Sequence, residues 1–154
     1  MENVWDYPRP PALVPCERRV RVVAGGATIA DSNGALRVLE TSHPPTVYVP
    51  RADVDAAALR PAAGSSLCEW KGRAAYFDVV GGDGTVAERA AWSYPAPAPA
   101  FAALAGHIAF YPGRIDAAYL DDERVAAQEG DFYGGWVTAD IAGPFKGAPG
   151  TRGW

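Results

Sequence analysis

Short runs of alternating apolar and polar residues, cut by Gly and Pro, dominate the chain. RVRVVAGGATIAD (residues 19–31) alternates about a Gly25-Gly26 break and predicts a β-hairpin. GALRVLETSHPPTVYVP (34–50) holds two apolar runs broken at His43-Pro44-Pro45, the second giving a strand through Val47, Tyr48 and Val49. CEWKGRAAYFDVVGGDG (68–84) reads as strand, Gly break, strand and turn, with Tyr76 and Asp78 on one face and Phe77 and Val79 on the other. TVAERAAWSYP (85–95) resumes strand, with Trp92 and Tyr94 sharing a face and Ser93 opposite. HIAFYPGRIDAAYLDDERVAAQ (107–128) reads as three successive strands joined at Pro112-Gly113 and Asp121-Asp122.

Helical signal is scarce. RADVDAAALRPA (51–62) predicts an Ala-rich turn or two after Pro50, and FAALAG (101–106) predicts one more after a stiff Pro/Ala spacer. The Pro-rich first 15 residues suit neither a helix interior nor a central strand, and predict an extended arm anchored by Trp5 and Tyr7. Residues 131–154 are rich in Gly and aromatics without period and predict a tail packed on a domain spanning 16–130. Without βαβ alternation, these elements predict a mainly β fold with one or two short helices, not a doubly wound sheet.

Composition narrows the chemistry. At 154 residues and 49% apolar content, one core can form without a metal or a disulfide. A net charge of −4 argues against a nucleic-acid partner. No apolar run reaches the roughly 20 residues that cross a bilayer, the first residues lack a secretory pattern, and Cys16 and Cys68 make no disulfide framework. The expected compartment is the cytoplasm. Zinc needs clustered Cys and His, and with two of each, scattered, no metal or other cofactor is expected. GGDG (81–84) and AGG (24–26) read as turns, not phosphate loops, and no GxSxG elbow occurs.

Candidate chemistry gathers in a few stretches. CEWKG (68–72) carries Cys68, a nucleophile if a base or cation lies near, or else an inert core thiol. On a regular strand Cys68 and Trp70 would share one face, leaving Lys71 with Glu69 on the other. WSYP (92–95) and AFYPG (109–113) place Trp92, Tyr94 and Tyr111 as core stripe or stacking wall. Glu40 is a general acid/base candidate or a turn acceptor, His43 is expected at the surface, and His107 reads as half-buried in its strand.

VWDYPRPP, LETSHPPTVYVP, CEWKGRAAYFDV, AAWSYPAPAPAF, GHIAFYPGRIDAAYLD and FYGGWVTADIAGPFKGAPGT together resemble the bacterial and fungal family called domain of unknown function 427, in its long actinobacterial form. The resemblance implies a β-tent-like fold, akin to methionine sulfoxide reductase B and the ligand-binding domain of cereblon, with two small antiparallel sheets and a cleft between them. The CxxC pairs that hold zinc in many such proteins are missing, as is the Gly-Ser and paired-Asp pattern that a nucleotidyltransferase label would require. Positions fitting the family's motifs are Glu40, Pro45, Tyr48, Pro50, Cys68, Lys71, Gly72, Tyr76, Trp92, Tyr94, Pro95 and Tyr111. They imply a small-molecule cleft walled by Tyr48, Tyr76, Trp92, Tyr94 and Tyr111, with Glu40, Cys68 and Lys71 as reactive groups.

Three functions fit these residues. The preferred one is an enzyme acting on a small, flat organic or nucleotide-like substrate, with Cys68 as nucleophile or Glu40 as acid/base and Lys71 stabilising negative charge. The second is a non-catalytic binding module using the same cleft. The third is a structural protein whose arm and tail dock on another copy as a homodimer.

Overall fold

A computed structural model describes residues 1–130 and 132–154; residue 131, where the tail was expected to begin, lies outside the described residues. The chain forms a mainly β structure of several antiparallel sheets. The larger sheet has seven strands in the order Ala12–Pro15, Leu36–Leu39, Thr46–Pro50, His107–Phe110, Val86–Ser93, Gly72–Val80 and Leu59–Cys68, with every neighbouring pair antiparallel. The smaller has four, in the order Glu123–Arg124, Ala117–Leu120, Val20–Ala24 and Ala27–Ser32. The last residues of the Pro-rich arm thus form an edge strand, where a missing N–H is tolerated.

The period-2 pattern explains the layering. In the larger sheet Val47, Val49, Phe77, Val79, Ala91, Ile108 and Phe110 point at Val20, Val22 and Ile29 of the smaller sheet and form the main core. Each such side chain contributes about 1.5–3 kcal/mol when fully buried. The alternate residues Val38, Tyr48, Ala74, Tyr76, Trp92 and Ala109 belong to a second apolar cluster on the opposite face. Side chains from one strand therefore serve two cores, which is why these strands are apolar on both faces.

Both glycine-rich turns are where alternation placed them. Gly25 and Gly26 sit at φ 55° and 76°, the positive-φ pair of a tight hairpin turn. The GGDG turn packs against them, leaving no room for side chains: a Cβ on Gly81 would lie 2.7 Å from the Gly25 Cα.

The short helical turns expected after Pro50 and at FAALAG form as the 3-10 turns Arg51–Asp53, Ala56–Ala58 and Pro99–Leu104; no α-helix forms among the described residues, because each apolar stretch is too short, and too closely bounded by proline or strand, to propagate one. The three successive strands expected over 107–128 form as His107–Phe110, Ala117–Leu120 and Glu123–Arg124, and the 3-10 turn Pro112–Arg114 carries the chain from the larger sheet to the smaller one. CEWKG is not a continuous strand: Cys68 pairs with Gly72 across a turn made by Glu69, Trp70 and Lys71, closed by Gly72 at φ 113°. The alternation placing Lys71 opposite Cys68 therefore does not apply.

The C-terminal residues are woven into the sheets. Trp136 is 1% exposed, its indole N–H donates to the Phe110 carbonyl at 3.1 Å, and its backbone N–H donates to Pro45 at 2.8 Å. Ile141–Ala142 pairs in parallel with Glu2–Asn3, joining the two ends of the chain.

Candidate functional site

The face of the seven-stranded sheet turned away from the main core carries a cavity of about 320 Å³. The expected cleft between two sheets is thus replaced by a pocket on one sheet, because the space between the sheets is filled by the main core. Three groups of residues complete the pocket: the loop after Leu39, the Glu69–Lys71 turn, and Gln128, Phe132, Tyr133, Gly134 and Lys146 of the C-terminal part.

Glu40, Tyr48, Cys68, Lys71, Tyr76, Trp92, Tyr94 and Tyr111 all line this one cavity. Trp92 is its centre, with Tyr111 at 4.5 Å between ring centroids and Tyr48 edge-on at 6.1 Å. Tyr48 also lies 6.3 Å from Tyr94. Such offset and edge contacts suit aromatic quadrupoles and hold the rings in fixed orientations. The Tyr76 hydroxyl is 2.8 Å from the Ser66 hydroxyl, and the Tyr111 hydroxyl donates to the Phe132 carbonyl at 3.1 Å. Arg89 and Arg114 stack on Tyr76 and Tyr111 at 4.1 and 4.0 Å.

Burial keeps the phenols protonated. It pushes Tyr48 and Tyr94 well above the ordinary tyrosine value, and the neighbouring Tyr48 and Cys68 add to the effect at Tyr94. Tyr111 is pushed up to about 12, first by burial and then by Tyr76. At neutral pH these hydroxyls are therefore donors as well as acceptors.

Polar groups enter from the edges. Lys71 is 8% exposed, and its ammonium lies 5.8 Å from the Tyr94 ring centroid. Its carbonyl accepts from Ala98 N–H at 2.9 Å, so the Pro/Ala spacer braces the turn that carries it. Cys68 is half-buried and unpaired, whereas Cys16 is buried elsewhere. Glu40 lies 3.8 Å from Arg9 and 3.7 Å from His43.

His43, expected at the surface, is buried instead, because Tyr133 packs edge-on against its ring at 4.8 Å. Its Nδ1 is 2.9 Å from the Thr41 carbonyl, which only accepts, so the neutral ring carries its proton there and leaves Nε2 as an acceptor. Burial, the largest influence, lowers its pKa below the ordinary histidine value, against the raising effects of Thr41 and Glu40.

The lining also contains residues not singled out from the sequence: Trp70, Gln128, Phe132, Tyr133, Gly134 and Lys146. Gln128 donates to the Lys146 carbonyl at 2.7 Å and accepts from Gly135 N–H at 3.1 Å, pinning the C-terminal strand of chain over the sheet. A methyl group on Gly134 would press into the Trp92 ring, at 2.7 Å from its Cζ3. The one signal available in advance was the Tyr-Gly-Gly run at 133–135, since paired glycines beside an aromatic mark close backbone approach.

A second cavity of about 430 Å³ lies beside Arg18 and Arg37 and is larger. It is the weaker candidate, because its cations are already paired: Arg18 with Asp121 and Glu123, and Arg37 with Glu2. Among the described residues no group of three or more His, Cys, Asp or Glu side chains is placed to hold a metal ion. No helix among the described residues is long and apolar enough to cross a membrane.

The family described as domain of unknown function (DUF427) matches residues 12–121, well over half the chain. The chain belongs to this DUF427 family. The match takes in the sheet face and the CEWKG turn, while Gln128, Tyr133, Gly134 and Lys146 of the same cavity lie beyond it. No curated protein matches the chain.

Proposed function

We propose that this DUF427 domain binds a small, flat organic molecule in the cavity walled by Tyr48, Tyr76, Trp92, Tyr94 and Tyr111. The observation that carries this reading is the convergence of five separate aromatic positions, with Glu40, Cys68 and Lys71, on one space of about 320 Å³. That volume falls at the lower end of ligand sites, which run from about 300 to 1,000 Å³. The cavity combines apolar walls with a few convergent polar groups, the composition expected of such sites.

An enzymatic version has its own support. Cys68 shares the cavity with Lys71 and His43, two groups able to favour or form a thiolate. Two unpaired cysteines also fit a reducing compartment, in keeping with a cytoplasmic protein.

Thermal-shift screening against flat aromatic compounds tests the reading. Stabilisation that is lost in Trp92→Ala supports it; compounds that stabilise both proteins equally would remove its basis. A bound compound recovered unchanged identifies a binding module, and one recovered modified identifies an enzyme.

A further inference from the structure

The charges around the cavity are not balanced in the same way. Glu40 lies 3.8 Å from the Arg9 guanidinium, with the neutral His43 ring beside it, and Glu69 stands on the exposed turn at the rim of the cavity. Lys71 is over nine-tenths buried, yet among the described residues it has no hydrogen-bonded or ion-paired partner; its contact is the face of Tyr94. The side chain is buried while its unpaired ammonium stays open to the cavity, so an anion brought there would meet a cation that has no competing ion pair.

The same geometry disfavours a cationic ligand. An aromatic cage would suit a quaternary or primary ammonium. Here two of the rings lining the cavity are already met by protein cations, Lys71 over Tyr94 and Lys146 over Tyr133 at 5.4 Å. A further positive charge would meet two like charges at the places where stacking is offered.

We infer that the ligand of this cavity is an aromatic anion, its ring lying against the Tyr48 and Trp92 wall and its anionic oxygens on the ammonium of Lys71. This rests on the ligand-binding reading of the cavity and names the chemical class that the site selects. Tyr48 and Tyr94, both buried and in contact with each other, complete the same wall. The backbone at Lys71 is fixed by the Ala98 hydrogen bond to its carbonyl and by the turn that Gly72 closes, which sets where its side chain starts.

The experiment is calorimetric titration of the full chain with 2-naphthoate and indole-3-carboxylate, with the two matching primary amides, and with 2-naphthylmethylammonium. The expected result is acids binding about tenfold or more tighter than their amides, as a hydrogen bond to a charged partner contributes about 1.5–3 kcal/mol and 1.4 kcal/mol is tenfold. The ammonium compound binds weakest. Lys71→Met brings the acids down to the level of the amides, while Lys71→Arg keeps a preference for the acid. Acid and amide binding equally to the wild-type protein overturns the inference and leaves the cavity reading standing, as does an acid preference that survives in Lys71→Met. Failure of every aromatic probe overturns both. The wild-type comparison decides the charge question even if Lys71→Met does not fold.

Discussion

Replacing Gly134 by alanine tests how tightly the C-terminal part of the chain is built into the cavity. Gly134 has no positive φ, so alanine carries no backbone strain, and the whole effect is steric. The new methyl would sit 2.7 Å from Trp92 Cζ3, closer still to Cη2, and 3.2 Å from Tyr111 Cδ1. Trp92 is itself 6% exposed and held by Tyr111 and Tyr48, so neither ring nor backbone gives way freely. Overpacking of this kind costs about 1–3 kcal/mol. For a chain of this size, 2 kcal/mol lowers the melting temperature by about 4–8 °C. Gly153→Ala, with nothing within 4 Å, is the matched control and should leave it unchanged. Thermal unfolding of Gly134→Ala, Trp92→Phe and the double variant supplies the test. Phenylalanine lacks the outer indole atoms that the methyl strikes, so the double variant should be at least about 0.5 kcal/mol more stable than the sum of the single effects. A wild-type melting temperature for Gly134→Ala, or strict additivity, would refute the close packing of residue 134 on Trp92.

Trp136→Ala removes a side chain 1% exposed and its bond to Phe110, and should cost about 3–5 kcal/mol in denaturant unfolding, although the position lies beyond the family match. Iodoacetamide should label half-buried Cys68 in the native protein and spare Cys16 at 5% exposure until unfolding, as read by mass spectrometry of peptides. His43 has a folded pKa below its unfolded value of about 6.5, so the unfolded chain takes up a proton first as pH falls. The stability associated with neutral His43 is therefore present above about pH 6.5 and is lost as pH drops toward the lower folded value. The groups around it are Glu40, Arg9 and Lys146, and His43→Gln should flatten the loss between pH 6.5 and its folded pKa in urea titrations at stepped pH.

The strands of both sheets could be read in advance because alternation is a local property. Tyr76 against Phe77, and Trp92 against Ala91, already announced two faces, and both faces proved apolar. What local pattern could not carry was the identity of the covering segment. His-Pro-Pro at 43–45 has the look of an exposed loop, yet Tyr133, ninety positions on, buries the histidine. The CEWKG turn misled for a related reason: alternating residue types continue through it, while Gly72 at positive φ turns the chain. The position of the pocket, on one sheet instead of between two, depends on which apolar face the other sheet covers, and both faces have similar composition. Convergence of Glu40, Cys68, Lys71 and the five aromatics followed from motif resemblance, whereas the contributions of Gln128, Gly134 and Lys146 arise from long-range packing alone.

The most direct measurement is a crystal structure of the protein with the tightest-binding compound of an aromatic panel. The account predicts its electron density against Trp92 and Tyr48, with a polar group directed at Lys71. Density in the cavity beside Arg18 and Arg37, with the Trp92 pocket empty, would contradict it.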